Sequence, residues 1–268
     1  MDLELRGKRA VVTGASRGIG RAVAAALLRE GVSCVLGARR EEPLRDAASG
    51  LAAAAPEGVA VVPVVVDTGS EASITAFVDA AVAALGGVDI LVNAAAAPSG
   101  QQAPPKVVEV TGPRFYADFD VKVLGYLRTI AAVAPHMAAQ RFGRIVNVDG
   151  LGTRMTGSVM GSMRNAAVAA LTKNAADELG GAGITVTAVS PGMVRTEATP
   201  GVLAARAAAA GTTVADIEAA IGEGYAIGRM VTAEEVAWVV TMLASPRSIA
   251  ITGDVVACGG GVKGSIYY

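Results

Sequence analysis

Short apolar runs alternate with amphipathic stretches from the N-terminus onward. RAVVTG is followed by GRAVAAALLREG, VSCVLGAR by EEPLRDAASGLAAAA, and VAVVPVVVD by EASITAFVDAAVAALGG, with VDILVNAAA closing the series. Uniformly apolar runs of this length read as strands buried on both faces, and the longer stretches with helical spacing read as helices. Strand, helix, strand in this order imposes parallel pairing with right-handed crossovers. Further on, the pattern predicts a long helix over about Arg114 to Gln140, the strand GRIVNVDG, a helix from about Ser158 to Leu179 and the strand GITVTAVSPG. An Ala-rich helical segment from about Pro200 to Gly224, a helix starting near TAEEVAWVV and a last strand GDVVACGGG complete the chain. Thr232 followed three residues later by Glu235 matches a capping box and specifies where that last helix starts. The expected architecture is a doubly wound, Rossmann-type α/β fold: seven parallel strands, helices on both faces, one domain over residues 1–268.

Composition narrows the partners. With 52% hydrophobic and 18% charged residues, the chain suits a doubly covered sheet and leaves apolar surface for self-association, so a homotetramer or homodimer is expected. The formal net charge is −1 and basic residues are scattered singly, which gives a polyanion no footprint and argues against nucleic acid. The N-terminus MDLELRGKRAVVTG passes from charge straight into a strand, and no apolar run reaches the roughly 18 residues that cross a bilayer. A cytoplasmic protein without a membrane partner is the expectation. Cys34 and Cys258 read as reduced thiols, and the lone His136 cannot build a metal cluster, so no metal is expected.

The most informative motif is TGASRGIGRAV, Thr13 to Val23, at the junction of the first strand and first helix. Gly14 permits the tight turn, Gly18 lets the backbone approach a pyrophosphate, and Gly20 lets helix and strand pack closely. The helix N-terminus adds free N–H groups and positive potential. Gly14, Ser16, Arg17, Gly18, Ile19 and Gly20 are therefore candidate cofactor contacts. The second strand ends in GARR, without the acidic residue that would bond an adenosine 2′-hydroxyl. Arg39 or Arg40, with Arg17, would instead face a 2′-phosphate, which favours NADP(H) over NAD; a solvated surface role is the other reading of Arg39. Asp67, closing the third strand, is placed either to bond the adenine amino group or to cap the helix that starts near Glu71.

With these residues in view the chain resembles the short-chain dehydrogenase/reductase family over nearly its full length. The resemblance rests on TGASRGIG, VNAAA (Val92 to Ala96), GRIVNV (Gly143 to Val148), AAVAALTKNAADEL (Ala166 to Leu179), SPGMVRT (Ser190 to Thr196) and ITGDVVACGGG (Ile251 to Gly261). It implies a dinucleotide across the strand C-termini, with Asn93 and Ala95 lining its floor and Pro191, Gly192, Val194 and Thr196 at the nicotinamide end. The family's chemistry uses a tyrosine as proton donor, a serine that orients the carbonyl oxygen, a lysine that tunes the tyrosine and an asparagine behind it. Carried over, these fall on Gly161, Gly150, Asn165 and Lys122. Lysine and asparagine have thus traded places, and the two glycines are expected to open the pocket where a hydroxyl and a phenol would stand. Lys122 and Asn165 are the candidate catalytic residues, with Asp149, Ser158, Ser162 and Arg164 as other proton sources.

The implied activity is NADPH-dependent reduction of a small-molecule ketone, such as a hydroxylated polyketide or aryl ketone, with substrate-assisted or non-standard proton delivery. The alternative is a cofactor-binding scaffold, or a non-redox cyclase or dehydratase on the same fold. Pocket walls are expected from Ala97 to Val110, from Asp149 to Met160 and from the segment near Pro200 to Tyr225.

Overall fold

The computed structural model describes residues 2–96 and 104–264. In chain order the elements are β1 (Arg9–Thr13), α1 (Gly18–Arg29), β2 (Ser33–Ala38), α2 (Glu41–Ala54), β3 (Val61–Val65), α3 (Glu71–Leu85) and β4 (Ile90–Asn93). There follow α4 (Gly112–Phe119), α5 (Gly125–Ala139), β5 (Gly143–Val148), α6 (Val159–Leu179), β6 (Ile184–Ser190) and β7 (Val194–Arg195). The last part holds α7 (Thr199–Ala210), α8 (Val214–Glu223), β8 (Val231–Thr232), α9 (Ala233–Leu243) and β9 (Val255–Ala257). Seven strands form one sheet in the order β3-β2-β1-β4-β5-β6-β9, every pair parallel. The expected doubly wound architecture is the one observed.

Alternation along each strand divides the core in two. Val12, Leu36, Val92, Val146 and Val189 face α1, α2 and α9, whereas Val11, Val35, Leu91, Ile145 and Val186 face α3, α5 and α6. Such two-sided burial explains why the strands carry continuous apolar runs. The order reverses between β1 and β4, where chains leave their strands in opposite directions and a crevice opens at the C-terminal ends.

Four local expectations change. The helix expected over Arg114 to Gln140 is divided by a π-helical turn at Asp120–Leu124, which pushes Lys122 inward. The segment near Pro200 to Gly224 is two helices, because Gly211 takes a left-handed conformation (φ 64°) that ends α7, and Thr213 then caps α8. The cap of α3 is Ser70, whose side chain accepts from Ser73 N–H, so Asp67 does not cap it. A small parallel ribbon of β7 and β8 lies outside the main sheet; two-residue strands leave no periodicity to detect. The Thr232–Glu235 capping box forms as expected, with reciprocal bonds of 3.2 and 2.9 Å.

Candidate active site

A cleft of about 860 Å³ runs along the C-terminal ends of the strands. One end is the turn between β1 and α1. Gly14 has φ 69°, and a Cβ there would lie 2.7 Å from the Ala94 carbonyl oxygen; a Cβ on Gly20 would lie 2.4 Å from the Gly14 carbonyl oxygen. Only glycine lets these backbones meet, which brings the start of α1 onto the strand ends. Arg17, extended at the N-cap, makes no capping bond with its side chain, and the first turn of α1 holds no acidic residue. Gly14, Ser16, Arg17, Gly18, Ile19 and Gly20 all line the cleft. So do Arg39 and Arg40 at the end of β2, and among the described residues no ion pair engages Arg17, Arg39 or Arg40.

The floor departs from expectation at two residues. Ala95 lines the cleft, but Asn93 is fully buried beneath it. Its Nδ2 donates to Asn147 Oδ1 at 3.0 Å, and its Oδ1 accepts from Thr129 Oγ1 at 2.7 Å. Asn93 thus ties β4 to β5 and α5 rather than surfacing. Asp67 lies outside the lining although Val66 and Thr68 belong to it; its carboxylate accepts from Gly69 N–H at 3.1 Å and closes its own turn. Pro191, Gly192, Val194 and Thr196 also line it, Thr196 beside Gly18. Of the expected pocket walls, residues 97–103 lie outside the described residues.

On the remaining wall the π-helical turn carries Lys122 into the cleft, only 4% exposed. Its Nζ donates to Asn165 Oδ1 at 3.1 Å and to the Asp149 carbonyl oxygen at 3.2 Å. An ammonium has no acceptor, so the amide must turn its oxygen toward Lys122 and its Nδ2 away. That nitrogen lies over Gly150 and Gly152: a Cβ would stand 2.9 Å from it on Gly150 and 3.0 Å on Gly152. Gly150 therefore makes room for the Asn165 amide. Gly161, expected to open the pocket, is not part of the lining; its N–H donates to Ser158 Oγ, the N-cap of α6, and a Cβ there would meet that hydroxyl at 2.8 Å.

The charges around Lys122 are unusually concentrated for a buried place. Burial, then the positive charge of Arg164, brings the ammonium down to about 8, against the opposing pull of Asp149 and Asp118. Burial likewise pushes the Asp149 carboxyl up to about 6, opposed by Lys122 and by hydrogen bonds from Thr153 and Ser190. Arg164 Nη1 pairs with Asp118 Oδ1 at 2.5 Å. Among the described residues, the buried side-chain atoms left without a partner are Asp118 Oδ2, Asp149 Oδ1 and Arg164 Nε, all in this group. Unpaired buried polar atoms are scarce in folded proteins, and here they cluster beside Lys122.

The sequence profile of the family described as Enoyl-(Acyl carrier protein) reductase matches residues 14–263. The chain belongs to the short-chain dehydrogenase/reductase family. The short-chain reductase protein NovJ of Streptomyces niveus is 35% identical over 255 residues, 94% of this chain and 92% of that one. The L-sorbose reductase of Gluconobacter frateurii, solved with NADPH and L-sorbose, superposes with a TM-score of 0.92 at 27% identity, covering 99% of this chain and 100% of that one. An actinorhodin polyketide ketoreductase solved with NADPH gives 0.87 at 30% identity, covering 96% and 98%.

Within this short-chain dehydrogenase/reductase chain, Tyr126 carried no signal in the sequence, whereas Val202, Arg206 and Tyr225 fall in the wall segment expected near Pro200 to Tyr225. Tyr126 lines the cleft and donates its hydroxyl to the Val148 carbonyl oxygen at 3.0 Å. Tyr225 packs against Gly192, its hydroxyl accepting from Met193 N–H at 2.9 Å. Val202 and Arg206 of α7 reach the cleft from above. The pairing of Arg164 with Asp118 joins α6 to α4 and had no spacing to announce it. Among the described residues, no helix is long and apolar enough to cross a membrane.

Proposed function

We propose that this chain is an NADPH-dependent reductase of a small-molecule ketone, in which Asn165 and Lys122 take over proton delivery. The reading is carried by one observation, the buried contact of Lys122 Nζ with Asn165 Oδ1 on the cleft wall. Carried over from the family resemblance, the serine, tyrosine, lysine and asparagine positions would fall on Gly150, Gly161, Asn165 and Lys122. The exchanged pair still meets, and Gly150 accommodates the amide.

The cofactor reading has its own support. The start of α1 offers backbone donors that its own N-cap side chain leaves uncapped, and Arg17, Arg39 and Arg40, without an ion pair among the described residues, stand along the same cleft. Guanidinium forks of this kind suit the 2′-phosphate that distinguishes NADPH from NADH. Pro191, Gly192, Val194 and Thr196 would hold the nicotinamide end, with Ala95 below.

When bound, the reduced nicotinamide supplies a hydride to the carbonyl carbon. The proton that completes the addition falls to the chain. Asn165 Nδ2, directed away from Lys122, donates to the carbonyl oxygen, and the ammonium strengthens that donor by polarising the amide. With its value near 8, Lys122 gives up a proton far more readily than an exposed lysine does, and a hydroxyl of the substrate beside the ketone would relay it to the alkoxide forming on Asn165 Nδ2. General acid catalysis contributes about 10² to 10⁴ in rate, so the pair decides whether turnover is efficient.

The test follows absorbance of reduced nicotinamide with a panel of hydroxylated polyketide, aryl and sugar ketones. Cofactor oxidation matched mole for mole by alcohol formation is the expected result. NADPH that binds and stays reduced with every ketone would leave the chain as a cofactor-binding scaffold.

A further inference from the structure

The amide of Gly18, the first residue of α1, donates to Glu197 Oε1 at 2.8 Å. The two residues lie 179 positions apart, so nothing in the local chain imposes the contact. Since α1 has neither a capping side chain nor an acidic first turn, Glu197 brings from across the cleft the negative charge that a helix N-terminus attracts. It does so where Arg17, Gly18 and Ile19 line the cleft, and Glu197 lines it with them. We propose that Glu197 is a resident stand-in for the cofactor's pyrophosphate, holding the start of α1 until the dinucleotide displaces it. The inference rests on the cofactor reading above.

A pyrophosphate and a carboxylate cannot share the first turn of one helix without like-charge repulsion. Glu197 is exposed, so it can turn to solvent when it gives up Gly18. It also sits where movement matters. Thr196 N–H donates to Thr199 Oγ1 at 2.8 Å at the start of α7, and the preceding Arg195 forms an ion pair with Glu218 of α8. Through Val202 and Arg206, α7 covers the cleft. One contact therefore joins the phosphate loop to the helices above it, and every NADPH that binds must break it.

Calorimetric titration of NADPH into the wild-type chain, Glu197→Gln and Glu197→Ala tests the idea, alongside thermal unfolding with and without saturating NADPH. A charged contact at a helix N-terminus has a worth that translates to a change in affinity of about tenfold. Glu197→Ala should bind NADPH about tenfold more tightly and, without ligand, melt below wild type, while the saturated proteins melt together. Glu197→Gln keeps an acceptor without the charge and should fall between. Weaker NADPH binding by Glu197→Ala, or unchanged affinity in both variants, overturns the inference alone. If neither wild type nor variants bind NADPH, the cofactor reading falls with it, whereas tight binding without turnover removes only the reductase reading.

Discussion

Lys122 and Asn165, 43 residues apart in the chain, meet at 3.1 Å in the cleft wall, one from a π-helical turn and the other from the first half of α6. The contact makes them one unit, since each fixes the orientation of the other. Lys122→Met and Asn165→Ala should each weaken NADPH binding, and the double variant should lose less than the sum. Contacting residues couple by about 0.5 to 3 kcal/mol, whereas independent sites add to within about 0.3 to 0.5 kcal/mol. A double-mutant cycle by calorimetry measures the difference, and strict additivity would reduce the exchange to drift.

The same unit sets a pH dependence. Burial and Arg164 lower Lys122 to about 8, so kcat/KM for a ketone should fall as pH rises through that value, with loss of the ammonium proton. The negative charge of Asp149 holds Lys122 up, so Asp149→Asn should move the alkaline limb to lower pH. Stability runs the other way. A lysine depressed in the folded state contributes stability above its unfolded value, lost as pH falls through about 8. A carboxyl raised to about 6 contributes stability below its unfolded value, lost as pH rises through 6. Their summed contribution is therefore smallest between about 6 and 8, where both are charged. Chemical denaturation between about pH 6 and 9, below the range where the buried thiols Cys34 and Cys258 begin to oppose it, should show wild type gaining stability above pH 8, a gain Lys122→Met should lack.

Gly150 and Gly161 respond differently to restored hydroxyl groups. Gly150→Ser places a Cβ against the Asn165 amide, so it should be costly in the wild type and far better tolerated beside Asn165→Ala. Gly161→Tyr collides with the Ser158 cap of α6 and should lose about 1 kcal/mol, the usual worth of an N-cap, without a rate gain of about 10² on simple ketones. Urea unfolding and steady-state rates on the same variants report both effects.

Arg39→Ala should weaken NADPH by roughly 10-fold to 100-fold, from about 1.5 to 3 kcal/mol for hydrogen bonds to a charged group, and leave NADH unchanged. Calorimetry with both cofactors decides it. Equal losses for the two would place Arg39 away from the 2′-phosphate.

Leu124, Leu127, Met163, Trp238 and Met242 are large apolar side chains left exposed on the π-helical turn, α5, α6 and α9. Burying such faces between copies is the simplest outlet, and a homodimer or homotetramer should appear in light scattering at micromolar concentration. A particle of single-chain mass would contradict it.

The sequence by itself determined the sheet and the phosphate loop. Continuous apolar strands, helical periodicity and the glycines at 14, 18 and 20 are local signals, and parallel order follows from strand, helix, strand connectivity alone. The resemblance along the whole chain also singled out Lys122 and Asn165, which meet in the structure. Only the tertiary structure decided which side chains reach the cleft. Asn93 lies one layer too deep, since its strand residue points into the ladder between β4 and α5, and Asp67 folds back on its own turn. Gly161 is occupied from behind by the α6 cap, and Gly150 from the front by an amide, so neither glycine is the open space its missing side chain suggests. Glu197 on Gly18 and Arg164 on Asp118 join residues 179 and 46 positions apart. Such pairings depend on how elements pack, and packing has no period to read along a chain.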